Sequence, residues 1–210
     1  MLDTPTAPQT AGRRRINVPG MLGTLFTIVM GMAGLTLALR AGEQALGLEA
    51  TLSAVVYVGT LALFGVIAAG YAAKELTHPA ALRAEWDHPV KLAFFPAMSI
   101  GLLLLAAATL PWSEPVARGM WLIGAGLQGV LTLAVVSGWI GSRAFVHGHL
   151  SPAWFIPAVG NVIVPLAGAQ LGWVEISWLF FSAGMMFWLI LLVLVFNRLI
   201  FHAPIPARLF

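Results

Sequence analysis

Residues Ser151 to Gly168 read SPAWFIPAVGNVIVPLAG, an apolar stretch carrying Pro152, Pro157 and Pro165, with Gly160 and Asn161 at its middle. Proline removes a backbone donor and clashes with the carbonyl one turn back, so a helix holding Pro157 and Pro165 bends and leaves backbone polar groups unpaired. The chemistry available is non-covalent: peptide dipoles and one carboxamide facing a polar solute. In hydrocarbon such groups are tolerated only against protein or along a watered path. The stretch therefore points to a conduit through a membrane. For any one proline, bending a helix for packing is the plain alternative, since membrane helices carry proline more often than soluble ones.

Other polar side chains are few. Asn161, four residues beyond Pro157, can bond a backbone group or face an ion, and interhelical amide bonding is the commoner use. Gln128 sits among Gly124, Gly126 and Gly129, a pattern that suits close helix packing. Gly20, Gly23, Gly31 and Gly34 in the first apolar run either leave room for a permeating ion or let backbones touch. A haem site needs two histidines at matching depth, but His78, His88, His147, His149 and His202 all fall near the ends of apolar runs. The His147 to His149 pair lacks further ligands, so no metal or other cofactor is expected. Ser137 and Ser182 have no histidine partner, and the chain does not read as an enzyme.

The elements that hold these residues follow from composition. Of 210 residues, 60% are hydrophobic and 9% charged, against roughly 25% charged in soluble domains. Six charge-free runs span Ile16 to Leu39, Ala50 to Ala73, Leu92 to Ser113, Gly119 to Ser142, Ala144 to Val174 and Ile176 to Asn197. Each is long enough for a bilayer core, which takes roughly 20 helical residues. The first exceeds the roughly 7 to 15 residues of a signal h-region, so it is not a removable leader. The expected fold is all-α: a polytopic membrane protein with a disordered tail at 1–15 and a six-helix domain at 16–203. Absence of cysteine removes disulfide and thiolate chemistry.

Basic residues collect in cytoplasmic loops. Arg13, Arg14, Arg15, Lys74, Arg83, Lys91, Arg143, Arg198 and Arg208 fall on one side, against Arg40 and Arg118 on the other. Both termini are thus expected in the cytoplasm. The net charge of +3 needs no nucleic acid to explain it, and Arg13 to Arg15 offer a contact for anionic membrane lipid.

The runs also repeat. Spans one, three and five are each introduced by a proline (Pro19, Pro89, Pro152), and spans two, four and six each end with a base (Lys74, Arg143, Arg198). The unit is an up-and-down hairpin used three times, and residues 204–210, with Pro204 and Pro206, look like the start of a fourth. The chain is therefore expected to be a fragment or an unusually short relative. Phe94, Phe95 and Pro96 in span three, and Phe155, Pro157 and Pro165 in span five, bend the odd helices, while even spans lack internal proline. Bent helices need neighbours or water, so the odd ones are expected inside and the even ones against lipid.

HPVKLAFF, PAWFIPAVGNVIVPLAG and ISWLFFSAGMMFWLILLVLVFNRLIFHAPIP together resemble the tellurite-resistance/dicarboxylate transporter family, over nearly all of residues 17 to 208. That family includes bacterial TehA, fungal malate and sulfite permeases, and the slow anion channels of guard cells. The resemblance implies ten helices as five hairpins, odd helices around a central pore, a homotrimer and a bacterial inner-membrane location. It makes spans one, three and five pore-lining, and the phenylalanine that closes the family's pore, on a ninth helix, has no counterpart here. The implied activity is that of an anion channel or uniporter for small inorganic or carboxylate anions of the chloride, nitrate, sulfite, malate or tellurite class. A proton-coupled exporter of dicarboxylate, tellurite or sulfite, and a non-conducting truncated subunit, are the alternatives.

An anion needs positive potential without a deep trap. No run carries an ionisable side chain away from its ends apart from His147 and His149, which argues for passive movement over a buried proton relay. Attraction would come from helix N-terminal dipoles, from amides freed at Pro96, Pro157 and Pro165, and from Lys91 and Arg143 at the cytoplasmic mouth. Candidate wall residues are Gly31, Gly34, Phe94, Phe95, Pro96, Phe155, Pro157, Gly160, Asn161 and Pro165.

Overall fold

The computed structural model describes residues 22–77, 80, 85–86, 91–141 and 152–201. The tail at 1–15, Pro19, Gly20, Pro89, Arg143, His147, His149 and the 204–210 stretch lie outside the described residues. No strand occurs among the described residues; the elements are α1 (Leu22–Ala45), α2 (Thr51–Thr77), α3 (Pro96–Thr109), α4 (Glu114–Gly141), α5 (Phe155–Ile163), α6 (Pro165–Gly168) and α7 (Val174–Phe201). Single turns of 3-10 helix at Lys91–Phe94 and Pro152–Trp154 introduce α3 and α5. Among the described residues, five segments are long and apolar enough to cross a bilayer, the chain being a polytopic helical membrane protein.

The fifth apolar run departs from a single span. Among the described residues it is a 3-10 turn followed by α5 and α6, Pro152–Gly168, and Val164 between the two helices keeps helical dihedrals, φ −50° and ψ −44°. Pro165 supplies no N–H to the carbonyl of Asn161 and pushes against it, which interrupts the hydrogen-bond ladder there while the Gly168 N–H to Val164 C=O bond carries the helix across. At Pro96 the ring opens α3, where a missing donor is harmless.

Two of the three hairpin turns are built alike. After α1, Leu48 N–H donates to Glu43 C=O and Gly47 N–H to Gln44 C=O; after α6, Trp173 N–H donates to Gly168 C=O and Gly172 N–H to Ala169 C=O. This paired closure needs a left-handed residue, and Gly47 and Gly172 have φ of 66° and 85°. Glu43 then ties the first hairpin: its carboxylate accepts the N–H groups of Leu52 (2.8 Å) and Ser53 (3.2 Å) and the Ser53 hydroxyl. A carboxylate at these unpaired donors caps α2 and complements its dipole.

Opposite ends of successive helices lie side by side. Phe26 early in α1 meets Tyr71 late in α2, Tyr57 early in α2 shares a hydrogen bond with Thr109 at the end of α3, and Trp139 late in α4 stacks on Trp154. Helix α3 is the axis of the bundle, with 72% of its span buried against 17% for α2 and for α7. It packs on α1, α4 and α5, while α7 packs on α5. Near the end of α2, Lys74 and Glu85 form a buried ion pair at 2.7 Å.

Candidate functional site

Pro157, Ala158, Gly160, Asn161, Val164, Ala167 and Gly168 form the buried side of the broken segment, and Val159 and Leu166 are exposed on its other side. The buried side meets a closed polar cluster from three helices. Gln128 Nε2 donates to Thr132 Oγ1 (3.0 Å) and to the Pro157 carbonyl (3.1 Å). Asn161 Nδ2 donates to the same two acceptors, at 3.2 and 3.0 Å. The Ser99 hydroxyl, from α3, lies 2.6 Å from Gln128 Oε1. Each carboxamide has two N–H bonds, so all four amide hydrogens are spent on protein acceptors. That arrangement binds helices and offers an anion no donor.

A further donor reaches the segment from α4. Trp121 of α4 donates its indole N–H to the Val164 carbonyl at 2.9 Å, at the junction between α5 and α6. The glycines opposite are there for space: a Cβ on Gly160 would stand 2.2 Å from Gln128 Nε2, one on Gly168 2.6 Å from Trp121 Cζ2, and one on Gly184 of α7 2.9 Å from Asn161 Cβ.

The sequence candidates fall into two groups. Pro96, Pro157, Gly160 and Asn161 are buried between helices. Phe94, Phe95 and Phe155 are half-buried, with Phe95 edge-on to Trp86 at 5.0 Å. Pro165 lines a groove of about 250 Å³ with Ala169, Val174, Ser177, Trp178 and Phe181. Gly31 and Gly34 face open space, for a Cβ on either meets nothing within 4 Å. Lys91 lies in the 3-10 turn before α3, and Arg143 is outside the described residues. Ser99, Thr132 and Trp121 were not singled out by sequence. Their spacing held a signal: Ser99 is three residues after Pro96, Thr132 four after Gln128 and Trp121 seven before it, each on one helix face.

An apolar seam runs over α3. Ala33, Ile100 and Leu104 form a small core covered by Met30 and Leu37 of α1 and by Ile156 and Ile163 of α5. Gly34 shares the Met30 and Leu37 face of α1, as Val159 shares that of Ile156 and Ile163. Helices α1, α3 and α5 meet along this seam, and the residues that form it carry no charge. The sequence model of the voltage-dependent anion channel family, SLAC1, matches residues 23–210. The chain belongs to the SLAC1 family.

Relatives of this SLAC1-family chain carry names of the same kind. It is 26% identical over 196 residues to an uncharacterized transporter of Methanocaldococcus jannaschii, covering 88% of this chain and 57% of that one. To the tellurite resistance protein TehA homolog of Haemophilus influenzae it is 29% identical over 167 residues, 79% of this chain and 51% of the relative. With the guard cell S-type anion channel of Arabidopsis thaliana identity is 23% over 194 residues, 88% and 35% of the two chains. The chain thus spans about half the length of the curated relatives it matches.

Proposed function

We propose that the chain forms part of the wall of an anion channel or uniporter, with the solute moving along the seam of α1, α3 and α5. The observation that carries this reading is the seam itself: Met30, Gly34, Leu37, Ile156, Val159 and Ile163 bring apolar side chains and open space to one face, and no ionisable group. A path of this kind passes an anion without holding it. Positive potential comes from the N-terminal dipole of α3 and from the bases gathered at the cytoplasmic side, Lys91 and Arg143 among them. Asn161 and Gly160 belong in this reading to the support of the wall. Gly31, Gly34 and Phe155 belong to its surface.

Three inner helices make an arc, and an arc encloses a path only with further helices along its open edge. The substrates are small inorganic or carboxylate anions, chloride, nitrate, sulfite, malate or tellurite, and the assembly is a homotrimer in a bacterial inner membrane with both termini cytoplasmic. What supports this is the family membership, the names of its relatives and the distribution of Lys and Arg.

The test is flux from liposomes loaded with chloride, nitrate or malate. Uniport predicts efflux driven by the anion gradient and unchanged when an imposed pH gradient is collapsed. Flux that disappears with the pH gradient assigns proton coupling instead, and absence of flux from folded, inserted protein overturns both.

A further inference from the structure

We propose that α4 is a splint: Trp121 and Gln128 are positioning residues that fix the bend of α5 and α6 and thereby set the width of the seam. Both donors lie on one face of α4, seven residues or two helical turns apart, about 10 Å along the axis. Their acceptors, the carbonyls of Val164 and Pro157, are also seven residues apart, in reversed order. The match is therefore a register between two antiparallel segments, made at two points. One point would leave the broken segment free to pivot; two fix its position and its tilt.

Three further features belong to the same device. Each donor sits over a glycine of the segment, Gln128 over Gly160 and Trp121 over Gly168, where a Cβ would collide with the donor side chain. The acceptors bracket the irregular part of the segment: Pro157 lies in the first turn of α5, and Val164 immediately precedes Pro165, which interrupts the ladder. Finally, the Ser99 hydroxyl engages Gln128 Oε1, which turns the amide nitrogen toward α5. Releasing either donor leaves it unpaired in an apolar interior, which is costly, so the bend is held. Val159 lies on the side of the segment away from α4, and its reach into the seam follows any change of tilt.

This inference rests on the reading of the seam as the anion path, and one experiment separates the two. The chain has no cysteine, so Val159→Cys introduces a single thiol, which is titrated in liposomes with a sulfonate-bearing methanethiosulfonate. The labelling rate is then compared in Gln128→Met, which keeps shape and removes both donors, and in Trp121→Phe. Leu122→Ala, at an exposed position beside Trp121 on α4, is the control. The expected result is labelling of the starting protein, a rate shifted by about threefold in each splint variant, in line with one interhelical hydrogen bond, and no shift in the control. The chloride-to-malate permeability ratio should move in the same variants. Equal labelling in all backgrounds overturns the splint and leaves the seam standing; a thiol that never labels in conducting protein overturns the seam and the splint with it. Should Gln128→Met fail to fold, Ser99→Ala, which removes the orienting bond together with the hydroxyl's contact to the Pro96 carbonyl at 2.8 Å, gives the same decision.

Discussion

At the scale of single residues, the glycines of this chain divide by what surrounds them. Gly160→Ala and Gly168→Ala push a methyl into Gln128 and Trp121 and should each cost about 1–3 kcal/mol, the usual penalty of overpacking. Gly34→Leu meets open space; it should leave unfolding within about 0.5 kcal/mol of the parent and reduce anion flux. Unfolding of the purified variants in a graded SDS and detergent mixture, alongside liposome efflux, reads both. A Gly34 variant that unfolds early would remove Gly34 from the seam. Composition gave no means of sorting these glycines, because a small residue looks the same in sequence whether it admits a neighbour's side chain or faces a void. The partner decides, and Gln128 is 32 residues from Gly160 in the chain.

At the scale of elements, the hairpins are held by local electrostatics that hydropathy does not display. Glu43→Ala removes the acceptor for the Leu52 and Ser53 amides and should cost about 1 kcal/mol, as loss of a helix N-cap does; faster hydrogen exchange confined to the first turn of α2 is the sign to look for. Lys74→Met strands Glu85 in a buried place, at a cost of about 3–5 kcal/mol, and adding Glu85→Leu should recover most of it. If the double variant is no more stable than the single, the pair is not the unit. The apolar runs made the long helices α1, α2, α4 and α7 legible, since 20 or so uncharged residues admit few other outcomes in a bilayer. Pro165 signalled a bend in the fifth run but not its form. What supports the backbone around such a proline is set by other helices, and here the Val164 carbonyl, already bonded by the Gly168 N–H, also receives the Trp121 indole.

At the scale of the whole molecule, burial grades from α3 outward. In variants keeping a single tryptophan, brominated acyl chains should quench Trp178, which is 62% exposed, and leave Trp121, at 1%, nearly unquenched. Equal quenching would mean that α4 and α7 do not stand between lipid and the interior. The family was legible from PAWFIPAVGNVIVPLAG and its neighbouring motifs, and the polar cluster was half legible: Asn161 and Gln128 stood out as the deep amides, while their meeting across α4 and α5 is a fact of register alone. The broken fifth segment also bears on biogenesis. An apolar stretch interrupted by Pro152, Pro157 and Pro165 leaves the translocon for lipid poorly by itself, because each exposed peptide group resists hydrocarbon. Its partners Trp121 and Gln128 emerge from the ribosome before it, so the fourth helix is in place to chaperone the fifth into the bilayer during synthesis.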